Sequence, residues 1–558
     1  MHTADAILSV LDLRVGFGAS DRYTEVVKGV SFSLERGEVL GWVGESGSGK
    51  TQMSLALLQL TDPAARVAGQ VFFRSLSAAP VDLLSLDIHA IRKYRGRKIS
   101  FIFQEPQRAL NPVLTCGWQI KEALENHSLA LGKTAEQTAL GWLDRVGLPD
   151  VRRIYSSYPH QLSGGQLQRV MIAMALCTEP ELLIADEPTT ALDLRVQQHL
   201  LDLLLDLKQE LGLSMLFVSH DLGVIADIAD RTVVMEAGEL VETQQTATLF
   251  SSPQHTCTKK LLSSRPPLQE KLYRLPLEGY KVSPENLHLE KDLGFLKQPV
   301  MEVQNLVIRF GEATWWSKQT PIKAVDQVSF ELFTGETLGL AGASGSGKTT
   351  IGKSMVRLVI PQSGKILFKG RAIFSLKGAD SDRYFKSVQY IFQNPYLALN
   401  PTMEAGESIR EVIARWNPDL PYSAQKKAAL EYLEQVGLNA SHYHRYPAAF
   451  SGGQRQRICI ARALAAEPEV LICDEVVSSL DVSVQAQVLN LLKDLQATYN
   501  LTLLFITHDM AVMRFMADRL AILNDGKIIE IGLAEQIFNQ PAHNYTREML
   551  EAVPGKNI

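Results

Sequence analysis

The stretch GESGSGKT at residues 44–51 decides the fold, and it returns as GASGSGKT at 342–349. Both satisfy the pattern G-x-x-x-x-G-K-[ST] in full. Gly44, Gly47 and Gly49, and then Gly342, Gly345 and Gly347, let successive backbone N–H groups curl around phosphate oxygens. The intervening Glu45, Ser46, Ser48, Ala343, Ser344 and Ser346 complete the two loops. Lys50 and Lys348 reach the terminal phosphates, and the hydroxyls of Thr51 and Thr349 are placed for Mg2+. Apolar runs ending in glycine, VLGWVG and TLGLAG, precede the loops as buried strands do, and QMSLALLQL and TIGKSMVRLV follow with helical spacing. Strand, phosphate loop and helix, written twice, predict an α/β nucleotide-binding chain.

The repeat extends well beyond the loops. ISFIFQEPQRALNP (99–112) returns as VQYIFQNPYLALNP (388–401), and YPHQLSGGQLQRVMIAMAL (158–176) as YPAAFSGGQRQRICIARAL (446–464). Spacing is kept with the words: Ser163 to Glu187 and Ser451 to Glu475 are both 24 residues, and Glu187 to His220 and Glu475 to His508 are both 33. Residues 1–264 and 300–558 are read as two copies of one domain. Residues 265–299, which mix prolines and both charge signs without a period, are read as a linker.

In LLIADEP (182–188) and VLICDEV (470–476) an apolar strand ends in two carboxylates, the end at which open α/β sheets bind ligands. Asp186 and Asp474 would complete the Mg2+ shell. Glu187 and Glu475 are the groups to position and polarise the attacking water in phosphoryl transfer. Adjacent strand residues face opposite sides, so a bend at the strand end is expected. Val476 replaces Pro188, a backbone stiffener that supplies no ligand.

LSGGQLQR (162–169) and FSGGQRQR (450–457) are the most discriminating words in the chain. Both resemble the signature of ATP-binding cassette (ABC) ATPases. The resemblance implies two tandem cassettes, each a RecA-like core with an antiparallel β subdomain and a helical signature subdomain, using ATP and Mg2+. It implies that Ser163, Gly164, Gly165 and Gln166 of one half face nucleotide held by the other half, as do Ser451, Gly452, Gly453 and Gln454. Gln104 and Gln393 resemble the Q-loop glutamines that sense Mg2+, His220 and His508 the switch histidines, and Asp193 and Asp481 the D-loop aspartates. One composite site would join Lys50, Thr51, Gln104, Asp186, Glu187 and His220 to Ser451, Gly452 and Gln454. The other would join Lys348, Thr349, Gln393, Asp474, Glu475 and His508 to Ser163, Gly164 and Gln166. Phe17 and Phe310 are candidates to stack on adenine, with core packing as the other reading of both and Tyr23, Trp315 and Trp316 as competitors.

Outside the catalytic words, ALNP after each Q-loop and the tails LFSSPQHTCTKKLLSSRP (249–266) and IFNQPAHNYTREMLEAVP (537–554) resemble the peptide/nickel branch of bacterial importers. The loop 311–325 is similar to a longer loop of that branch's second subunit. This implies an ATPase peripheral to the cytoplasmic face of the inner membrane, powering permease subunits fed by a solute-binding protein. The sequence does not name the solute. The alternative from another class is a soluble twin-cassette translation factor acting on the ribosome. A net charge of −5 in 558 residues, with a pI near 6.2, gives no electrostatic case for nucleic acid. Five scattered cysteines form no CxxC pair, so neither a zinc site nor a disulfide framework is expected. Some first-type subunits of the branch resembled carry a cysteine cluster for an iron–sulfur centre in the tail, and with only Cys257 near it here no cluster is expected. The N-terminus does not read as a signal peptide, and no run of eighteen apolar residues occurs.

Overall fold

A computed structural model describes residues 6–18, 23–76, 78–189, 192–276, 299–311, 322–478 and 480–556. The chain divides into two compact units, Met1–Leu262 with Pro554–Ile558, and Ser263–Val553.

The apolar runs form a central sheet in each unit. In the first unit the strand order is Glu239–Gln245, Arg231–Glu236, Val39–Gly44, Ser214–Val218, Leu182–Asp186, Ile99–Ile102, parallel except for the outermost hairpin strand Glu239–Gln245. Val39–Gly44, Leu182–Asp186 and Ser214–Val218 are buried along their whole length, as parallel strands covered on both faces must be. Alternation sends Leu40 and Trp42 to one face and Val39 and Val43 to the other. On the first face they meet Ile7, Val10, Leu13 and Val15 of a four-stranded antiparallel sheet built on Ala6–Phe17. On the second they meet a helical layer that includes Cys116–Asn126, Gly132–Arg145 and Gly164–Leu176. Gly117 in this layer is forced, because a Cβ there would sit 2.1 Å from the Tyr155 ring; Gly406 meets Tyr443 in the same way in the second unit.

The second unit repeats the plan. Its central order is Val388–Ile391, Val470–Asp474, Thr502–Ile506, Thr337–Gly342, Arg519–Asn524, Lys527–Leu533, with an antiparallel sheet built on Pro299–Phe310. The RecA-like core, antiparallel subdomain and helical subdomain expected from sequence are therefore present twice. A carboxylate on each last strand pins the tail behind it. Glu242 accepts from the backbone N–H groups of Gln254 and His255 and the hydroxyl of Thr258, and Glu530 from those of Ala542, His543 and Thr546. Burial alone would raise the Glu242 carboxyl, but these donors outweigh it and hold it below its ordinary range. No helix among the described residues is long and apolar enough to cross a membrane.

The stretch read as a linker divides. Residues 277–298 lie outside the described residues, as do Trp315 and Trp316 of the 311–325 loop. Residues 265–276 pack within the second unit. The buried Asn490 amide accepts from the Leu275 N–H at 3.0 Å and donates to its carbonyl at 2.9 Å, pairing that backbone as a neighbouring strand would. Arg274 pairs with Asp494 at 2.5 Å, and Lys271 donates to the Ala517 carbonyl at 2.6 Å. Asn490→Leu leaves both polar groups of Leu275 buried without partners. It should cost the second unit about 2–3 kcal/mol in chemical denaturation and speed proteolysis within 265–276.

Candidate functional site

Each phosphate loop leaves the carboxyl end of a buried strand with two parallel neighbours, Val39–Gly44 in the first unit and Thr337–Gly342 in the second. The loop backbone runs against other backbone. A Cβ on Gly44 would lie 2.2 Å from the Met235 carbonyl oxygen, and one on Gly347 the same distance from that of Ala324. Lys50 and Lys348 are buried. Lys50 Nζ donates to the carbonyls of Gly44 and Glu45 at 2.8 and 2.9 Å, and Lys348 Nζ to those of Gly342 and Ala343 at 2.9 and 2.7 Å. The loop thus folds its own carbonyls onto the ammonium that a phosphate would take over.

The expected bend at the strand end is a left-handed residue. Glu187 and Glu475 both have φ 48, and their N–H groups donate to Val218 and Ile506 carbonyls at 2.9 Å. The turn brings each glutamate to two groups 33 or more residues away in sequence. Glu187 receives Gln104 Nε2 at 2.8 Å and His220 Nδ1 at 3.1 Å. Glu475 receives Gln393 Nε2, and His508 Nδ1 at 3.2 Å. Burial disfavours the charged imidazole, but the glutamate's hydrogen bond and charge outweigh it, so both histidines lie above their ordinary pKa. Burial would likewise raise Glu475, and His508 outweighs it, holding the carboxyl below its ordinary value.

Asp186 and Asp474 are almost fully buried at the strand ends. Burial pushes Asp186 up to about 6 against a hydrogen bond from Thr51. Asp474 is also raised by burial, and it takes two hydroxyls, Thr349 at 3.0 Å and Tyr390 at 2.6 Å. Tyr390 was not among the residues singled out from sequence. Its signal is in the repeat, where Tyr390 of VQYIFQ stands in the place of Phe101 in ISFIFQ. Burial and the adjacent carboxylate raise the phenol, so it stays a donor.

The signature serines cap helices. Ser163 and Gln166 form a reciprocal capping box at the start of Gly164–Leu176, and Ser451 and Gln454 do so at Gly452–Leu464. Asp193 caps Leu194–Leu211 by accepting from the Val196 N–H at 3.0 Å. Asp481 stands at the corresponding position before Val482–Tyr499.

The family profile described as ABC transporter matches residues 27–190 and 325–478, more than half of the chain. The chain belongs to the ABC transporter family. It is an ATPase of two cassettes, in which hydrolysis of bound ATP powers transport. The profile of the oligopeptide/dipeptide transporter C-terminal region matches 241–288 and 529–557, which contain the two tails. The glutathione import ATP-binding protein GsiA of Pectobacterium atrosepticum is 42% identical over 560 residues, covering 98% of this chain and 89% of that protein. The protein of the same name from Escherichia coli K12 is 43% identical over 561 residues, covering 99% and 90%. A solved structure, the dimeric post-hydrolysis state of the cassette MJ0796 bound to ADP and Pi, is 29% identical over 43% of this chain and 98% of its own, with a TM-score of 0.39.

The residues at the strand ends fit a divalent cation such as Mg2+. In each, a threonine hydroxyl and a strand-end carboxylate stand together, the hard oxygen donors Mg2+ takes beside substrate phosphates. In the first cassette Oδ1 of Asp186 is buried with no hydrogen-bond partner among the described residues. The adenine aromatics are less alike. Phe17 is half-buried against the core, whereas Phe310 is 48% exposed. Tyr23 is 41% exposed, with Arg66 over its ring at 5.7 Å.

The electrostatics carry two expectations. A histidine raised by its partner contributes stability below its unfolded pKa and loses it as pH rises through the folded value; a depressed glutamate does the reverse on the acid side. The His508–Glu475 pair is therefore strongest between those two limits. In nucleotide-free protein the His508 ring should titrate above 6.5 by NMR, and Glu475→Gln should lower that midpoint. Asp186 is the opposite case. Its carboxyl, raised from 3.8 to about 6, removes stability as pH climbs through that interval. Asp186→Asn should stabilise the nucleotide-free first cassette at pH 7.5 by on the order of 2–3 kcal/mol, and by less at pH 5, in denaturant melts.

Proposed function

We propose that this chain hydrolyses ATP at two sites to energise import of a small peptide of the glutathione class through separate permease subunits. The reading rests chiefly on one observation: each cassette gathers a glutamine and a histidine onto the glutamate that follows its strand-end aspartate. In turnover, Glu187 or Glu475 orients the attacking water and accepts its proton once one of the two partners releases a carboxylate oxygen. His220 or His508, whose basicity the glutamate raises, would stand near the terminal phosphate. Lys50 and Lys348 exchange loop carbonyls for phosphate oxygens. Thr51 with Asp186, and Thr349 with Asp474, would hold Mg2+, with Gln104 and Gln393 as further candidate ligands, and the cation would supply charge neutralisation on the phosphates. Ser451, Gly452, Gly453 and Gln454 complete the Lys50 site from the other half, and Ser163, Gly164, Gly165 and Gln166 the Lys348 site.

Near full-length similarity to glutathione import ATP-binding proteins supports the import reading and the choice of solute class. It also supports a peripheral place on the cytoplasmic face of the inner membrane and a solute-binding protein outside. A groove of about 510 Å3 in the second cassette supports permease docking. It is lined by Tyr390, Phe392, Val412, Trp416, Arg415 and Arg462, so an inserted segment would touch the strand leading into Gln393. The ribosome-acting alternative is not favoured, because the chain's relatives are import ATPases.

Glu187→Gln and Glu475→Gln should each cut steady-state ATPase activity by about 100-fold or more at the altered site while nucleotide binding persists. The complex with its permease and binding protein should be stimulated by glutathione. Failure of every short peptide to stimulate that complex, with basal ATPase intact, would reject the solute class and leave the ATPase assignment standing. Ser451→Arg should remove photolabelling by azido-ATP around Lys50 and spare that around Lys348, a direct check on the composite sites.

A further inference from the structure

Among the differences beside the two strand-end aspartates, one is a hydroxyl that reaches Asp474 and has no counterpart at Asp186. Phe101 and Tyr390 occupy matching places on the strand next to the one that ends in aspartate, paired in register with Ile184 and Ile472. The Tyr390 hydroxyl donates to Asp474 Oδ2 at 2.6 Å, and Thr349 donates to Oδ1 at 3.0 Å, so both oxygens are engaged. Phe101 has no hydroxyl to offer Asp186, and Asp186 Oδ1 is buried with no hydrogen-bond partner among the described residues.

We propose that Tyr390 is a positioning residue that makes the second ATP site bind its divalent cation more weakly than the first. The inference rests on the reading of Asp186 and Asp474 as cation carboxylates. A buried carboxylate oxygen without a donor is an uncompensated cost that an arriving cation or its bound water removes, and that relief adds to affinity. At Asp474 the hydroxyls of Thr349 and Tyr390 already engage Oδ1 and Oδ2, and the phenol's bond is the one for which Phe101 offers no counterpart. A cation there must displace the phenol or share an oxygen whose negative charge the hydrogen bond already draws on. The ring itself is not the cause, since Phe101 supplies the same ring in the first cassette; Tyr390 packs on Phe392 with ring centroids 4.7 Å apart, and Phe101 on Phe103 at 4.6 Å. The difference is the hydroxyl. A hydrogen bond to a charged group is strong enough to separate the two cation affinities by about tenfold.

The test uses the full chain with Glu187→Gln and Glu475→Gln, so that ATP is held unhydrolysed. Azido-ATP photolabelling of peptides around Lys50 and Lys348 is read by mass spectrometry as Mn2+ is raised. Both halves are read in one tube, so metal–nucleotide association in solution cancels from their ratio. Labelling near Lys348 should need about tenfold more Mn2+ than labelling near Lys50. Tyr390→Phe should bring the two curves together, and Phe101→Tyr should move the Lys50 curve toward the weaker one, which keeps the test decisive if either variant folds poorly. Curves that coincide in the parent, or that neither substitution moves, overturn the role of Tyr390. Asp186→Asn and Asp474→Asn separate that outcome from failure of the cation reading itself: each should abolish Mn2+ dependence in its own half, and if neither does, the carboxylates are not the cation ligands.

Discussion

Neighbouring residues on a β-strand face opposite ways, yet the two carboxylates that end each LLIADE and LICDE run are proposed to serve one reaction. The chain resolves this by placing Glu187 and Glu475 in the left-handed region, a conformation that costs a non-glycine residue about 1–2 kcal/mol. The cost is met locally. Each glutamate N–H is held by a carbonyl of the adjacent parallel strand, and each carboxylate is held at both oxygens, by a glutamine that follows the edge strand and a histidine that follows the neighbouring interior strand. An extended glutamate would face the opposite side of the strand and lose both. The histidine, the glutamine and the strand-end bend are thus one arrangement, built in both cassettes on the glutamate they share.

The same bend settles what Val476 changes. The residue before a proline is restricted, so Glu187 adopts its left-handed turn against an added constraint from Pro188. Glu475 has no such constraint, and still reaches the same φ, the same backbone bond and the same two side-chain partners. Val476 is 2% exposed and Pro188 is also buried, so both positions serve as apolar packing under the turn. The inequality between the copies lies around the motifs. Tyr390 faces Phe101 across the repeat. Tyr545 receives the Ala343 N–H of the second phosphate loop at 3.2 Å, where the first tail has Cys257 and a Lys260–Glu45 pair at 3.8 Å.

Most of the fold was legible because burial on both faces leaves unbroken apolar runs, and because spacing between motifs is fixed by the strands and helices that join them. LLIAD and VLICD could be read as strands from five letters each. The glutamine–glutamate–histidine contacts were legible only through resemblance, since their partners are dozens of residues apart and no local pattern links Gln393 to His508. The packing of 265–276 was not legible at all. It depends on Asn490, a polar residue inside a long helix, pairing with the backbone of Leu275, and nothing in a mixed-charge stretch announces a partner more than 200 residues away. The signature serines show a different gap between word and geometry. The same hydroxyl that the resemblance assigns to nucleotide is used within its own helix as a cap, one local bond available before any ligand arrives.

That last point generalises. Lysine on loop carbonyls, glutamate on glutamine and histidine, and aspartate on threonine are all internal substitutes for contacts that substrate would make. Binding therefore gains only the difference between the incoming contact and the one it replaces. Where the substitute is good the site is ordered in advance and gains little; where it is missing the site is strained in advance and gains more. Asp186 Oδ1 stands at one end of this scale and Asp474, with two hydroxyls, at the other. Two cassettes can then share the same lysine, threonine, aspartate, glutamate, glutamine and histidine and still differ in how firmly they hold ATP and its cation, where a neighbour outside the motifs sets the difference.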